Sequence, residues 1–288
     1  MRNTEKLANI CGKRQAVTVP GAPNALFARL IEDLGFEVVY VTGAGIANMQ
    51  LGVPDLGLTT ISEVSNTVAS ISDVVELPII VDADTGFGNA LNVIRTIKTL
   101  EKSGASGIQI EDQVFPKRCG HFGGKEVISK SEMVQKIHAA VDARNDQSLQ
   151  IIARTDAAAV EGLSSAIDRA QSYIDAGADI TFVEAPNSQM ELERIANELQ
   201  VPQIANIVYG GKTPDVGKAQ LAEFGFSLVL YANAILQAAL KASNEVLQSL
   251  HEKGSLAAVT EKLASFDDRQ AVVKKFDWDK LEKKYISK

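Results

Sequence analysis

The run Pro116-Lys117-Arg118-Cys119-Gly120-His121 sets a thiol among three basic side chains, with a glycine beside it. Nearby cations stabilise a thiolate, and glycine lets a loop fold closely over a ligand, so Cys119 is a candidate reactive group. The run follows Ile108-Gln109-Ile110-Glu111-Asp112, an apolar alternation ending in two acids that reads as a strand and its C-terminal edge. A second acidic edge, Asp82-Ala83-Asp84-Thr85-Gly86-Phe87-Gly88, follows the apolar run 77–81. Alternate strand residues project to one side, which would turn both carboxylates toward one place. Hard divalent cations take oxygen ligands, and Mg²⁺ typically uses one or two carboxylates while keeping waters. Asp-x-Asp alone is equally a polar turn; Glu111 on the next strand makes Asp82, Asp84 and Glu111 a candidate metal site.

Such groups need elements to hold them. Apolar β-rich runs recur at 16–19, 38–41, 79–81, 107–110, 151–153, 180–183, 204–207 and 228–230, with helix-like segments at 90–103, 131–144, 164–176 and 189–198 between them. Gly35, Gly104, Gly177 and Gly225 stand where helices would end in a left-handed cap. Eight strand–helix units in 288 residues predict one closed (β/α)₈ TIM barrel spanning 1–288, with roughly 240–288 as a helical C-terminal extension. The alternative, a doubly wound open sheet, would usually carry a Gly-rich dinucleotide loop after its first strand. Thr42-Gly43-Ala44-Gly45 resembles only part of one.

In such a barrel the site lies at the C-terminal strand edges. Those edges carry Tyr40 and Thr42, Asp82 and Asp84, Glu111, Arg154 and Asp156, Glu184, and Asn206. Charged and amide groups are costly to bury without partners, so a whole ring of them reads as a site rather than a scaffold. Met49 and Phe87 read as packing residues. The chain is 45% hydrophobic and 23% charged, as a soluble globular protein should be. Its net charge of −7 disfavours nucleic acid and anionic membrane as partners. No run approaches the roughly 20 apolar residues needed to span a bilayer. Two cysteines provide no disulfide framework, and a cytoplasmic location is expected.

These motifs resemble the isocitrate lyase/phosphoenolpyruvate mutase superfamily. The likeness runs in order from Tyr40-Val41-Thr42-Gly43-Ala44-Gly45 through Pro54-Asp55-Leu56-Gly57, the Asp82–Gly88 run, Glu111-Asp112 and Lys117-Arg118-Cys119-Gly120-His121. It continues through Ala153-Arg154-Thr155-Asp156-Ala157, Val183-Glu184-Ala185 and Asn206 to Gly210-Gly211-Lys212-Thr213-Pro214, about residues 15 to 240 in all. The resemblance implies Mg²⁺ or Mn²⁺ held by Asp82, Asp84 and Glu111, directly or through water, with Asp55 nearby. It implies a small dicarboxylate or 2-oxo acid substrate held by Tyr40, Thr42 and the backbone of Gly43 and Ala44, with Arg154 on a substrate oxygen. Glu184 and Asn206 would complete the pocket, and Gly120 and His121 would close over it with Cys119. A homotetramer is also implied.

The superfamily contains carbon–carbon lyases, phosphonate mutases and hydrolases, and a decarboxylase. Cys119 points to the lyases, where a departing carbanion needs an acid; the mutases typically have Asn in this loop. Tyr40, Glu111 and Arg154 join Cys119 as expected catalytic residues. Gly210-Gly211-Lys212-Thr213-Pro214 resembles the branch that cleaves 2-alkylmalates, although Tyr209 stands where that branch commonly has Glu. The expected reaction is cleavage of a 2-hydroxy dicarboxylate such as 2,3-dimethylmalate to a 2-oxo acid and a short carboxylate. Methylisocitrate cleavage, oxaloacetate hydrolysis or decarboxylation, and an inactive oxo-acid-binding barrel are the alternatives.

Overall fold

A computed structural model describes residues 1–120 and 123–286 of the protein. The eight apolar runs form eight parallel strands: β1 Val17–Ala22, β2 Val39–Val41, β3 Ile79–Asp82, β4 Gly107–Glu111, β5 Gln150–Thr155, β6 Ile180–Val183, β7 Ile204–Asn206 and β8 Leu228–Tyr231. They pair in the order β6-β5-β4-β3-β2-β1-β8-β7. A parallel bridge from Thr181 to Gln203 joins β6 to β7, so the sheet comes round on itself as a (β/α)₈ barrel. Helices such as Ala90–Lys102, Lys130–Ala143, Leu163–Asp175 and Gln189–Glu198 alternate with the strands and match the expected segments to within a residue or two. The four cap glycines all take positive φ, the conformation a side chain with Cβ resists.

Strand parity decides what faces inward. Val19, Tyr40, Ile80, Ile152, Phe182, Ile204 and Leu230 share one buried cluster inside the barrel. Their chain neighbours Val39, Val41, Ile79, Val81, Ile151 and Ala153 pack outward against the helices. Counting two residues on from these inward positions reaches Thr42, Asp82, Arg154, Glu184 and Asn206. The apolar filling ends where the polar ring begins.

The opposite mouth is closed. The helix Asn3–Gly12 sends Leu7 and Ile10 into the interior cluster. Asn3 and Lys6 donate hydrogen bonds to the carbonyls of Leu77 and Glu76, just before β3, and Thr4 donates to Asp146, before β5. A Cβ on Gly107 would stand 2.9 Å from a Leu7 methyl, so the glycine leaves room for this plug. Past β8, the helix Ala234–Lys253 runs unbroken through residue 240, and two shorter helices, Phe266–Val272 and Lys275–Tyr285, follow it. Leu240, Leu247, Phe276 and Trp278 on these segments are exposed. Among the described residues no helix is long and apolar enough to cross a membrane.

Candidate active site

Six strands, β2 to β7, deliver the polar ring. Glu111 pairs in register with Arg154, which in turn pairs with Phe182, so the guanidinium stands beside the carboxylate and over the aromatic ring, 5.2 Å from its centroid. Arg154 Nε lies 3.2 Å from Glu111 Oε2 and 2.9 Å from Asp156 Oδ2, while Nη2 lies 3.3 Å from Glu184 Oε2. Asn206 Nδ2 donates to the same Glu184 oxygen at 3.3 Å. Three acids thus surround one arginine in a buried setting, where each interaction is stronger than in water. The Arg154 guanidinium stays charged: burial alone would disfavour the cation, but Asp156, Glu111 and Glu184 outweigh it.

The second half of the site is richer in negative charge. Tyr40 donates to Gln109 Oε1 at 3.0 Å, and Gln109 donates to Asp82 Oδ1 at 3.4 Å. Strand β3 ends at Asp82, so alternation does not aim Asp84, contrary to the reading from sequence. Asp84 takes a left-handed turn with φ of 46°, one that Asp tolerates better than most residues, and its N–H donates back to Asp82 Oδ1 at 3.1 Å. The turn still brings the two carboxylates together. A Cβ on Gly43 would come within 3.0 Å of Asp82 Oδ2 and 3.4 Å of Asp84 Oδ1, so a glycine is what keeps these oxygens clear.

Lys117 is not a solvated loop lysine. Its buried ammonium is ion-paired to Asp55 and lies 3.0 Å from Asp84 Oδ1. That engagement ties Asp55 into the site and directs the cation to carboxylates. Burial and the charges of Asp82 and Asp55 push Asp84 up to about 6 even with Lys117 opposing them. Burial likewise holds Glu111 well above the usual carboxylate range, with Arg154 countering it. Glu111 Oε1 is buried and makes no hydrogen bond among the described residues. Tyr40 is raised by burial and by Asp82, so its hydroxyl keeps its proton at neutral pH.

Two cavities meet here. The smaller, about 30 Å³, lies inside the polar ring and reaches Tyr40, Thr42, Asp82, Arg154, Glu184 and Asn206. The larger, about 830 Å³, opens beside it, and Ala44, Asp55, Cys119, Val208 and Asn233 border both. Cys119 is half-buried at this junction. Its loop leaves the barrel after Asp112 and returns as a short antiparallel pairing, Val114 N–H to the Glu126 carbonyl at 2.9 Å and Ile128 N–H to the Asp112 carbonyl at 2.8 Å. Gln113 clamps the stem by bonding both the N–H and the carbonyl of Arg118. A Cβ on Gly120 would come 2.5 Å from Arg154 Nη2, so the loop rests directly on the arginine.

All expected site residues that are described therefore lie in or beside one chamber; Met49 lines the larger cavity, and His121 lies outside the described residues. Gln109, Lys125 and Asn233 join the site or its supports without a distinctive sequence signal. The polar ring and its cysteine loop can now be set beside known proteins. A family match described as phosphoenolpyruvate phosphomutase covers residues 7–251. The chain belongs to that family. It is 45% identical to a 2-methylisocitrate lyase of Aeropyrum pernix, over 95% of this chain and 88% of that protein. It is 41% identical to a 2,3-dimethylmalate lyase of Eubacterium barkeri, over 93% of each. Likenesses of this extent make it a carbon–carbon lyase of the isocitrate lyase/phosphoenolpyruvate mutase superfamily. Among solved structures, a phosphonopyruvate hydrolase complexed with oxalate and Mg²⁺ superposes with a TM-score of 0.89 at 29% identity, over the whole of both chains.

Proposed function

We propose that the enzyme cleaves a 2-alkylmalate, such as 2,3-dimethylmalate, to a 2-oxo acid and a short carboxylate. The observation that carries this reading is the 830 Å³ cavity beside Cys119. Met49, Val53, Pro54, Val208, Leu236 and Leu240 line it, and among the described residues its lining holds no Lys, Arg or His. A substituent reaching there from the polar ring meets these apolar side chains, the uncharged polar groups of Asn48, Tyr209, Asn233, Gln237 and Ser243, and one acid, Asp55. Alkyl groups gain by that burial; a third carboxylate would lose its hydration without a cation to replace it. Methylisocitrate cleavage is the second reading, favoured by the 45% identity to an enzyme of that name.

The donor set suits a hard cation. Asp82, Asp84 and Glu111 supply buried oxygens, with Glu111 Oε1 unsatisfied. Among the described residues no three His, Cys, Asp or Glu side chains converge tightly enough to form a complete ligand set. Mg²⁺ fits that pattern, since it keeps several waters and is held by few carboxylates. The chemistry such an ion supplies is neutralisation of charge on substrate oxygens.

The residues of the chain do the rest. Thr42 and the first-turn N–H groups of Gly43 and Ala44 hold one carboxylate, and Arg154 orients a substrate oxygen. The 2-hydroxyl proton passes to Glu111, whose buried Oε1 makes no hydrogen bond among the described residues. The carbon–oxygen double bond forms as the adjacent carbon–carbon bond breaks, and its electron pair moves to the carbon next to the second carboxylate. Cys119 donates its thiol proton to that carbon. The 30 Å³ inner cavity is smaller than a dicarboxylate, and in this reading the loop lifts for entry and settles again to exclude water.

Exposed apolar side chains on the C-terminal helices support a homotetramer, and a sequence with only two cysteines supports a cytoplasmic enzyme. The reading is tested by following 2-oxo acid release from 2,3-dimethylmalate, methylisocitrate and oxaloacetate with Mg²⁺ present. The highest kcat/KM is expected on dimethylmalate. A clear preference for methylisocitrate would replace this reading with the second.

A further inference from the structure

The Cys119 loop touches the barrel through a second cation that the reaction does not use. Lys125, in the returning arm of the loop, has its side chain buried against a completely buried Asp156, with Nζ 2.7 Å from Asp156 Oδ1. The same ammonium donates to the backbone carbonyl of Gly120, one residue past the thiol. Asp156 is also the carboxylate that grips Arg154, at 2.9 Å from Nε and 3.1 Å from Nη2. Its backbone N–H in turn donates to Asp112 Oδ1 at 2.9 Å, which ties the anchor to the buried Asp112 cluster. One buried carboxylate therefore holds the guanidinium that faces the substrate and, through Lys125, the backbone beside the thiol.

We propose that Lys125 is the latch of the Cys119 loop, a positioning residue that couples loop closure to the orientation of Arg154 through Asp156. A lysine point charge with several donors can bridge a carboxylate and a carbonyl at once, and buried charge-assisted bonds of this kind are the strong ones. When the loop lifts, Lys125 leaves Asp156, and Arg154 loses the charge balance that fixes it. Closing the loop restores both together. The latch rests on Cys119 lying on a moving lid, but not on Cys119 being the acid or on the identity of the substrate.

The test reads loop position directly. Cys11 is fully buried and its thiol is pushed up to about 12 by burial, so iodoacetamide reacts selectively at Cys119, which peptide mass spectrometry verifies. In Lys125→Met, alkylation of Cys119 should accelerate about tenfold or more, as a buried ion pair and a charge-assisted bond are lost together. Protection by oxalate with Mg²⁺ should weaken in parallel, and kcat should fall more than KM changes. Lys125→Arg, which keeps the charge but not the compact bridging geometry, should fall between the two. An unchanged alkylation rate and unchanged protection in Lys125→Met would overturn the latch. Should that variant fail to fold, Lys125→Arg carries the test: faster alkylation supports the latch and a wild-type rate refutes it. A variant that alkylates faster while dimethylmalate proves to be no substrate would retain the latch and remove only the substrate reading.

Discussion

Glu111 and Asp112 are adjacent acids, both buried, and they occupy opposite worlds. Glu111 points into the barrel, where one of its oxygens makes no hydrogen bond among the described residues. Asp112 turns toward the helices and is saturated. It accepts from Thr155 Oγ1 at 2.7 Å, Tyr173 Oη at 2.8 Å and the Asp156 N–H at 2.9 Å, with Arg169 at 3.5 Å. Arg169 is itself held by Glu161. A buried acid with every lone pair answered is scaffold, because nothing is left over to bind a ligand. One with an oxygen left open in a crowd of like charges is held there by the surrounding fold, and its spare valence is available to substrate, proton or metal.

If that contrast is right, the largest effect belongs to the inner cluster. Asp84→Ala should lower kcat/KM about a thousandfold or more, the scale of losing a group that stabilises developing charge. Its melting temperature should stay level or rise, since an ill-satisfied charge is gone; an active variant would remove Asp84 from the metal site. Cys119→Ser should lower kcat by about 10²–10⁴-fold with KM nearly unchanged, because serine fills the space but is a much weaker acid. Near-normal kcat would make the thiol a bystander and move the reading toward hydrolysis or decarboxylation.

The outer cluster should fail in the opposite way. Asp112→Ala should cost about 3–5 kcal/mol of stability in denaturant melts by stranding Arg169 and Tyr173, while the folded fraction keeps most of its kcat. A large kcat loss at full stability would erase the distinction. The smallest effect is on proton competition. Burial, joined by Asp82 and Asp55, lifts Asp84 to about 6, so the metal-free protein holds a proton there below that pH and Mg²⁺ must displace it. Apparent Mg²⁺ affinity should fall about tenfold per unit as pH drops below about 6, more steeply if Glu111 releases a proton too. Affinity that stays flat from pH 7 to 5 in a calorimetric titration would mean that Asp84 is not displaced.

The barrel and most of the ring were legible because both follow from a two-residue period. Once the strand after 79 is recognised, Asp82 must face where Ile80 faces, and the same count places Arg154, Glu184 and Asn206. Asp84 reached its place by a left-handed turn that no periodicity describes. The pairing of Lys117 with Asp55 joins positions 62 apart in the chain, and only the closed loop shows it. Lys125 was hidden for a different reason. It stands after Gly123-Gly124 in a polar stretch where a lysine usually means solvent, and its burial follows from the path of the whole loop. Gln109 looked like part of an apolar alternation, yet it faces the interior and hydrogen-bonds with both Tyr40 and Asp82.

Among the described residues, the helix across the lower mouth leaves the barrel open at the end that carries the polar ring. Cleavage turns one guest into two, and with Leu7 and Ile10 filling the floor, neither can leave downward. Both products must depart past the same lid, and the one nearer the entrance stands in the way of the other. Traffic through a single doorway is sequential, so release should follow a fixed order, with the fragment lodged among the carboxylates leaving last. In product-inhibition kinetics that fragment alone should compete with substrate for the empty enzyme, and random release would show that the second product has found another way out.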